Sequence, residues 1–351
     1  MKDNTTNIQS SENVLLTGAG FTKNFGGLLA SEMWAMIFNH RKVQAHPKIK
    51  ELMRDNFDYE SIYTSIMEGL DYTEDEKEAI NDAVKSAYDY IDTILREYGG
   101  GSPYPPQLSN VTHFITLFNE PSRSSIGPEN VTKSLQPKTS NKSFIFTLNQ
   151  DLFFERLYDS AELSIPGIKK NPEWFRTYFR KELDEPDYCQ PPNEEELNLV
   201  KQDSLSDGYF FLIKLHGSSN WKSYDGTQKM VIGSGKTEQI QKEPLLRWYF
   251  EIFKKVLSQN QRRLLIIGYG FGDDHINRII SDAVRDYDLR IYIISPDSPE
   301  NFKTELFKKT KLGRYIWQGI SGYFQHSLMD IFPESAETTQ AGRNLTELFF
   351  E

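Results

Sequence analysis

The chain has a single cysteine, Cys189, in 351 residues. It can therefore form no internal disulfide and no zinc site built on thiolates. It also lacks a long apolar run: no stretch reaches the length that spans a bilayer, and the polar start Lys2-Asp3-Asn4-Thr5-Thr6 has no hydrophobic leader core. A cytoplasmic protein is the expectation, and the N-x-S/T triplets then carry no weight. Basic charge is scarce as well, with 40 Lys and Arg against 50 Asp and Glu and a net charge of −10. Direct nucleic-acid binding, which needs a positive surface, is not expected. The basic cluster Lys308, Lys309, Lys311 and Arg314 reads as a solvated helix face.

What is present is organised around the first glycine cluster. Asn13 to Thr17 is a short apolar run of the kind that forms a strand buried on both faces, and Gly18 and Gly20 end it with residues that have no Cβ. Leu29, Met33, Met36 and Ile37 follow at helical spacing. The free N–H groups of that helix start would face the loop, where a phosphate is the natural guest. Lys23 stands where a G-x-G-x-x-G fingerprint needs its third glycine, and the strand with its ribose-binding acid about 20 residues on is missing too. By itself the loop is as consistent with close strand–helix packing as with a nucleotide site.

Residues 41–120 read as a helical insertion between the first and second strands. Its clearest helix opens with the capping box Thr73-Glu74-Asp75-Glu76 and carries Ile80, Val84, Ala87, Ile91 and Leu95 on one face before Gly99-Gly100-Gly101. Ser122 to Asn141 has loop composition. Phe144 to Leu148 is the second buried strand, ending in Asn149-Gln150-Asp151. Residues 164–208 form a variable segment whose aromatic run Trp174, Phe175, Tyr178 and Phe179 reads as core. Tyr209 to Leu215 is a third strand, ending in His216-Gly217, and a hairpin is expected from Tyr224 to Lys236 around Asp225-Gly226. After a helix from Leu245 to Leu257, Arg263 to Ile267 repeats the opening pattern of strand, glycine loop (Gly268-Tyr269-Gly270) and helix. Arg290 to Ile294 is the next strand, closed by Ser295-Pro296-Asp297. Tyr315 to Ile320 is read as an edge strand before a helix from Gln325 to Phe332.

These elements predict an α/β chain: a Rossmann-like parallel sheet with a helical insertion between its first two strands, residues 1–333 forming one domain and 334–351 a C-terminal tail. Polar residues cluster wherever a strand ends, and in open parallel sheets ligands bind at that carboxyl edge. Asn149 or Asp151 capping the following helix is the plainer alternative. A histidine directly after a buried strand, as His216 is, is placed to act as a base. The tail's Leu345, Leu348, Phe349 and Phe350 would form a sticky patch if exposed. They are expected either on the chain's own domain or at an interface.

Taken in order, Gly18-Ala19-Gly20-Phe21-Thr22, Leu148-Asn149-Gln150-Asp151, Lys214-Leu215-His216-Gly217-Ser218 and Gly268-Tyr269-Gly270-Phe271 resemble the sirtuin fold family, most closely its bacterial branch of NAD-consuming defence proteins. The resemblance runs from the first strand to Asp297. It implies an NAD pocket, with Gly18, Ala19, Gly20, Phe21 and Thr22 at the pyrophosphate and nicotinamide ribose and Asn149 and Asp151 at the nicotinamide end. His216 takes the place of the catalytic histidine. Gly268, Tyr269 and Gly270 fall at the adenosine phosphate and ribose, and Ser295 to Asp297 at the adenine edge. Asp274 and His275, at a helix start typical of the bacterial branch, are further cofactor contacts or only caps and packing.

Sirtuin deacylases carry a small domain with four zinc-binding cysteines, which Cys189 alone cannot supply. Asn24-Phe25-Gly26-Gly27 stands in place of their arginine-bearing segment. The resemblance therefore implies an NAD glycohydrolase with NAD as substrate and no metal, in antiphage defence. Asp151 would supply charge, Asn149 would orient a water or ribose hydroxyl, and His216 would act as general base near its ordinary pKa of about 6.5. Which of Asn149 and His216 activates the water is open. Control by homo-oligomerisation or by a partner such as a HerA-type hexameric ATPase is implied. Protein deacylation or ADP-ribosyl transfer, and a non-catalytic NAD or ADP-ribose sensor, are the competing readings.

Overall fold

A computed structural model describes residues 8, 10–99, 105–119, 142–158, 163–168, 189–206, 208–223, 228–335 and 338–350. Nine strands are named here: β1 (Ser10–Thr17), β2 (Lys142–Thr147), β3 (Leu163–Ser164), β4 (Phe210–Lys214), β5 (Gly217–Lys222), β6 (Gln228–Met230), β7 (Arg263–Ile267), β8 (Arg290–Ser295) and β9 (Ile320–Gln325). Seven of them form one sheet in the order β3-β4-β2-β1-β7-β8-β9, and every pairing in it is parallel. This is the α/β, Rossmann-like sheet that the strand pattern predicts.

The central strands read as continuous apolar runs because both of their faces are covered. Leu15, Ile145, Leu212 and Leu265 point into one core with the insertion helices. Their neighbours Val14, Leu16, Phe144, Phe146, Ile213 and Ile266 point into a second core under the helices Pro244–Leu257 and Asp274–Tyr287. The insertion between β1 and β2 is helical, and its long member runs from Glu74 to Gly99. Its capping box forms as the sequence predicts: Glu76 N donates to Thr73 Oγ1 at 3.2 Å and Thr73 N to Glu76 Oε2 at 2.8 Å.

From β1 the chain moves to β2 and β4 on one side, then crosses back to β7 and continues to β8 and β9 on the other. The order reverses between β1 and β7, and a crevice opens at the carboxyl ends of strands at such a point.

Several sequence expectations are corrected. Residues 313–318 are a helix, and the edge strand is Ile320–Gln325, so the helix placed at Gln325 to Phe332 shrinks to Leu328–Ile331. The β-prone run Tyr315-Ile316-Trp317 is overridden by packing: Ile316 is fully buried beneath the helix Asp274–Tyr287, and Gly319 closes the turn by donating its N–H to Ile316 O at 3.1 Å. The hairpin begins at Gly217, directly after His216, and not at Tyr224; the Asp225-Gly226 turn lies outside the described residues. So do the stretch from Ser122 to Asn141 and the aromatics Trp174, Phe175, Tyr178 and Phe179. Of the two places expected for the C-terminal apolar residues, the chain's own domain takes Leu345 and Phe349. Gln340–Phe350 is a helix whose Leu345 and Phe349 are fully buried, with Phe349 packed on Phe118 and Tyr292.

Candidate functional site

The strands set the site by ending level with one another. Thr17, Thr147 and Lys214 pair across β1, β2 and β4, while Thr17 also pairs with Ile267 of β7. The residues just past these ends, Gly18, Asn149, His216 and Gly268, therefore gather along one edge.

The two glycine loops are pressed together. Gly18 N donates to Ile267 O and Gly20 N to Gly268 O, both at 3.0 Å. A Cβ on Gly18 would lie 2.7 Å from Gly268 O, and one on Gly268, at φ +70°, 2.1 Å from Phe21 N. Glycine is thus demanded here by the facing backbone, a reason independent of any ligand.

The helix expected to point its N–H groups at the loop starts later, at Ala30, and Glu32 closes its start by accepting from Leu29 N at 2.8 Å. A single turn, Ala19–Thr22, follows Gly18 instead. Ala19 is exposed and Gly20 half-buried, whereas the Phe21 ring turns into the core against Phe25, Phe153 and Phe154.

At the switch point lies a cleft of about 370 Å³ whose walls include Gly20, Gly268, Tyr269, Gly270, Ser295 and Asp297. The ammonium groups of Lys23 and Lys309 border it; Lys309 Nζ donates to Gly270 O at 3.1 Å. The loop from Gly268 is braced from within, since Tyr269 OH donates to Asn277 Oδ1 at 2.9 Å and Asn277 Nδ2 to Phe271 O at 2.9 Å. Of the cleft residues, Gly268, Tyr269, Gly270, Ser295 and Asp297 are those that the resemblance implies for the adenosine half of a dinucleotide, and Gly20 one that it implies for the pyrophosphate and nicotinamide ribose.

The residues assigned to the reacting end occupy a second neighbourhood along the same edge. Asn149 Nδ2 donates to Gly18 O at 3.0 Å and to Thr22 Oγ1 at 2.8 Å, so its amide ties the first loop to β2. Asp151 Oδ1 accepts from Phe153 N at 3.0 Å, the helix-start role weighed as the plain alternative. Burial raises the Asp151 pKa, against the pull of nearby Lys214. Lys214 is itself buried and pairs with Glu155 at 2.8 Å.

His216 is 4% exposed. Its carbonyl accepts from Val231 N at 2.9 Å and from Gln150 Nε2 at 3.3 Å, and Gln150 is held in turn by Tyr88 OH from the insertion. Gly217, at φ +77°, lets the chain turn away at once into β5, where a Cβ would strike Lys229 O. The backbone that carries the ring is thereby held on both sides.

The His216 ring nitrogen Nε2 lies 2.9 Å from His275 Nε2. β7 is three places from β4 in the sheet, roughly 14 Å at ordinary strand spacing, so the loop from Gly268 to His275 carries its histidine back past β1 and β2. Burial pushes the His216 pKa down to about 3, where Asp273 only partly compensates. This corrects the expectation of a base near its ordinary value: His216 is held neutral. Burial lowers His275 as well.

Asp273 rather than Asp274 belongs to this group. Asp274 is exposed and its Oδ1 accepts from Thr310 Oγ1 at 3.5 Å. Asp273 binds Lys236 at 2.8 Å, and Lys236 also binds Glu60 of the insertion at 2.7 Å. Burial works against the Asp273 charge, but the positive charge His216 takes on only in acid, together with the Lys236 ammonium, outweighs it and leaves its pKa below the ordinary value. Asp273, Lys236, Glu60 and Gln150 carry no motif of their own; only the strand-end position of Gln150 hinted at a role.

Residues 143–316 match the family described as the SIR2-like domain. The span includes Asn149, Asp151, His216, Gly268, Tyr269, Gly270, Asp274, His275, Ser295 and Asp297, and supports an NAD-utilising role in general. No curated protein matches the chain. No described helix is long and apolar enough to cross a membrane.

Proposed function

On the premise that its SIR2-like domain makes this chain a member of the sirtuin-like family, we propose that it is an NAD glycohydrolase, releasing nicotinamide and ADP-ribose. The observation that carries this reading is His216: neutral, buried and hydrogen-bonded to a second histidine at the carboxyl edge, on the same rim as the two glycine loops and their cleft. The sequence has one cysteine, so the zinc module of the deacylases cannot be built from it.

In the reaction the nicotinamide–ribose bond breaks with its electron pair leaving on nicotinamide, which departs neutral. Charge develops on the sugar, and water adds there and loses a proton. A neutral His216 that donates its Nε2 proton to His275 accepts through Nδ1 from that water or from a ribose hydroxyl, with His275 behind it to share the proton and Asp273 to offset the charge. Asn149 shapes the rim by fixing Gly18 and Thr22, and Asp151, a half-buried carboxylate on the same rim, would offset the charge developing on the sugar. The adenosine half would lie in the cleft lined by Gly268, Tyr269, Gly270, Ser295 and Asp297.

An enzyme that destroys NAD harms its own cell, so we place it in antiphage defence, held off until triggered by homo-oligomerisation or by a partner such as a HerA-type ATPase. The test is chromatography of NAD incubated with the purified chain, without peptide or added metal and with and without the candidate ATPase. Nicotinamide and ADP-ribose in equal amounts are expected. Acetyl-lysine removal without peptide-independent nicotinamide release would overturn the reading in favour of a deacylase, and NAD binding without products in favour of a sensor.

A further inference from the structure

We propose that His216, His275 and Asp273 form a binding site for a divalent transition-metal ion of the zinc type, and that the ion is an inhibitor. The binding claim stands on geometry alone; inhibition rests on the hydrolase reading above.

One donor atom from each of the three residues lies within 4.8 Å of the others. Two imidazoles and a carboxylate are the donor set that zinc and its neighbours in the first transition row prefer, leaving a fourth position for water. Metal–nitrogen bonds of 2.0–2.1 Å at a tetrahedral centre put two ligating nitrogens about 3.3 Å apart. The His216 and His275 Nε2 atoms, now at 2.9 Å, need to separate by only a few tenths of an ångström.

The donors are also held before any ion arrives. His216 is clamped through its carbonyl by Val231 and Gln150. The Asp273 carbonyl accepts from Ile276 N at 3.1 Å and from Asn277 N at 3.0 Å, which fixes the turn that presents both Asp273 and His275.

Charge favours a dication. Lys236 is matched by two carboxylates, Asp273 and Glu60, and both imidazoles are neutral, so the group carries one net negative charge. Lys236 binds Oδ1 of Asp273, and a carboxylate has lone pairs enough to keep that bond and ligate an ion. The proton shared between the two Nε2 atoms need not leave the protein. The ring that carries it at Nε2 takes the other tautomer, with the proton on Nδ1, and both Nε2 lone pairs then face the ion. Once both rings are ligated through Nε2 each carries its proton on Nδ1, so His216 keeps no lone pair to accept from water or a ribose hydroxyl.

Titration of the full-length chain with cobalt(II), read by visible d–d absorption, and equilibrium dialysis with zinc test the site without reference to activity. One ion per chain and the spectrum of a four-coordinate centre are expected. His275→Gln and Asp273→Asn, checked by thermal melts, should each weaken binding by at least about 100-fold. Lys236→Met, which removes a competing positive charge, should tighten it roughly tenfold. Zinc should suppress NAD hydrolysis by the wild-type chain at the concentration where dialysis shows filling. Absence of saturable binding, or equal binding by the wild type and His275→Gln, overturns the site. Binding without loss of turnover overturns the inhibitory role. If no NAD hydrolysis exists to suppress, the hydrolase reading fails while the cobalt result still decides the site.

Discussion

Gly20 faces Gly268 so closely that a Cβ on Gly20 would stand 2.8 Å from the Gly268 Cα. The first loop is therefore locked to the β7 loop by backbone on backbone, and a side chain at Gly20 acts on the fold before it reaches any ligand. Gly20→Val and Gly268→Ala should each cost about 2–4 kcal/mol, the second adding the penalty of a left-handed backbone. Gly272→Ala is the control, since its Cβ would meet nothing within 4 Å. Urea melts that find Gly268→Ala as stable as Gly272→Ala would show the contact to be wrong.

The ion pair of Lys214 and Glu155 sits under the same edge, its side chains 1% and 8% exposed. Lys214→Met alone strands a buried carboxylate and should destabilise by about 3–5 kcal/mol. Adding Glu155→Leu should recover most of that loss, because removing both charges removes the desolvation cost with them. A double variant no more stable than the single one would mean that the Lys214 bond to the Asp151 carbonyl, and not the ion pair, is what holds this corner.

Asn149→Ala should have two effects. It removes the donor to Gly18 O and Thr22 Oγ1, but Gly18 O keeps the Phe21 N–H at 2.8 Å, so the loss is that of ordinary hydrogen bonds, about 0.5–1.5 kcal/mol each. Turnover should fall beyond what unfolding explains, since the loop it tethers borders the proposed reacting end. Comparing melting temperature with kcat at a temperature where the variant is fully folded separates the two. Normal kcat there would remove Asn149 from the site.

The central strands and the rim they create are legible in the sequence because strands buried on both faces leave unbroken apolar runs, and polar residues then mark their ends. Local chemistry made the Thr73 capping box equally plain. Asp273, Lys236 and Glu60 were hidden for the opposite reason. They come from one helix start, from the first residue of the short helix Lys236–Lys242 beyond the hairpin, and from the insertion, and meet only because the chain crosses back to β7. Which of Asp273 and Asp274 faces His216 is a matter of a single-residue rotation at the helix start, which no spacing rule fixes. Residues 315–320 misled because aromatic and β-branched side chains favour strands on average, while Ile316 is claimed by a helix packing site.

Deletion of residues 344–351 should not behave as removal of a loose tail. Leu345 and Phe349 are fully buried, and each such side chain contributes about 1.5–3 kcal/mol. The truncated chain should melt well below the full one or fail to stay soluble. Leu348, 64% exposed on the same helix, reports on the surface instead. Leu348→Ser should leave the melting temperature unchanged, so any change it makes in solution mass by light scattering identifies this face as an interface between copies.

The neutral state of His216 makes a signed prediction in both stability and rate. Its pKa is about 3 in the folded chain against an ordinary 6.5, so between those values the unfolded chain binds a proton that the folded one refuses. Stability contributed by this group is complete above about pH 6.5 and declines as pH falls below it, by up to about 1.4 kcal/mol per pH unit. His275, lowered for the same reason, adds in the same direction. Urea melts of the wild type should therefore lose stability from about pH 6.5 to pH 5, and His216→Asn should lose less over the same interval. The rate should behave differently. kcat/KM reports the free enzyme, where His216 stays unprotonated, so NAD hydrolysis should show no fall near pH 6.5 while the protein remains folded. A wild-type stability slope identical to that of His216→Asn, or a kcat/KM profile that titrates near 6.5, would mean that water reaches this histidine far more freely than its burial implies.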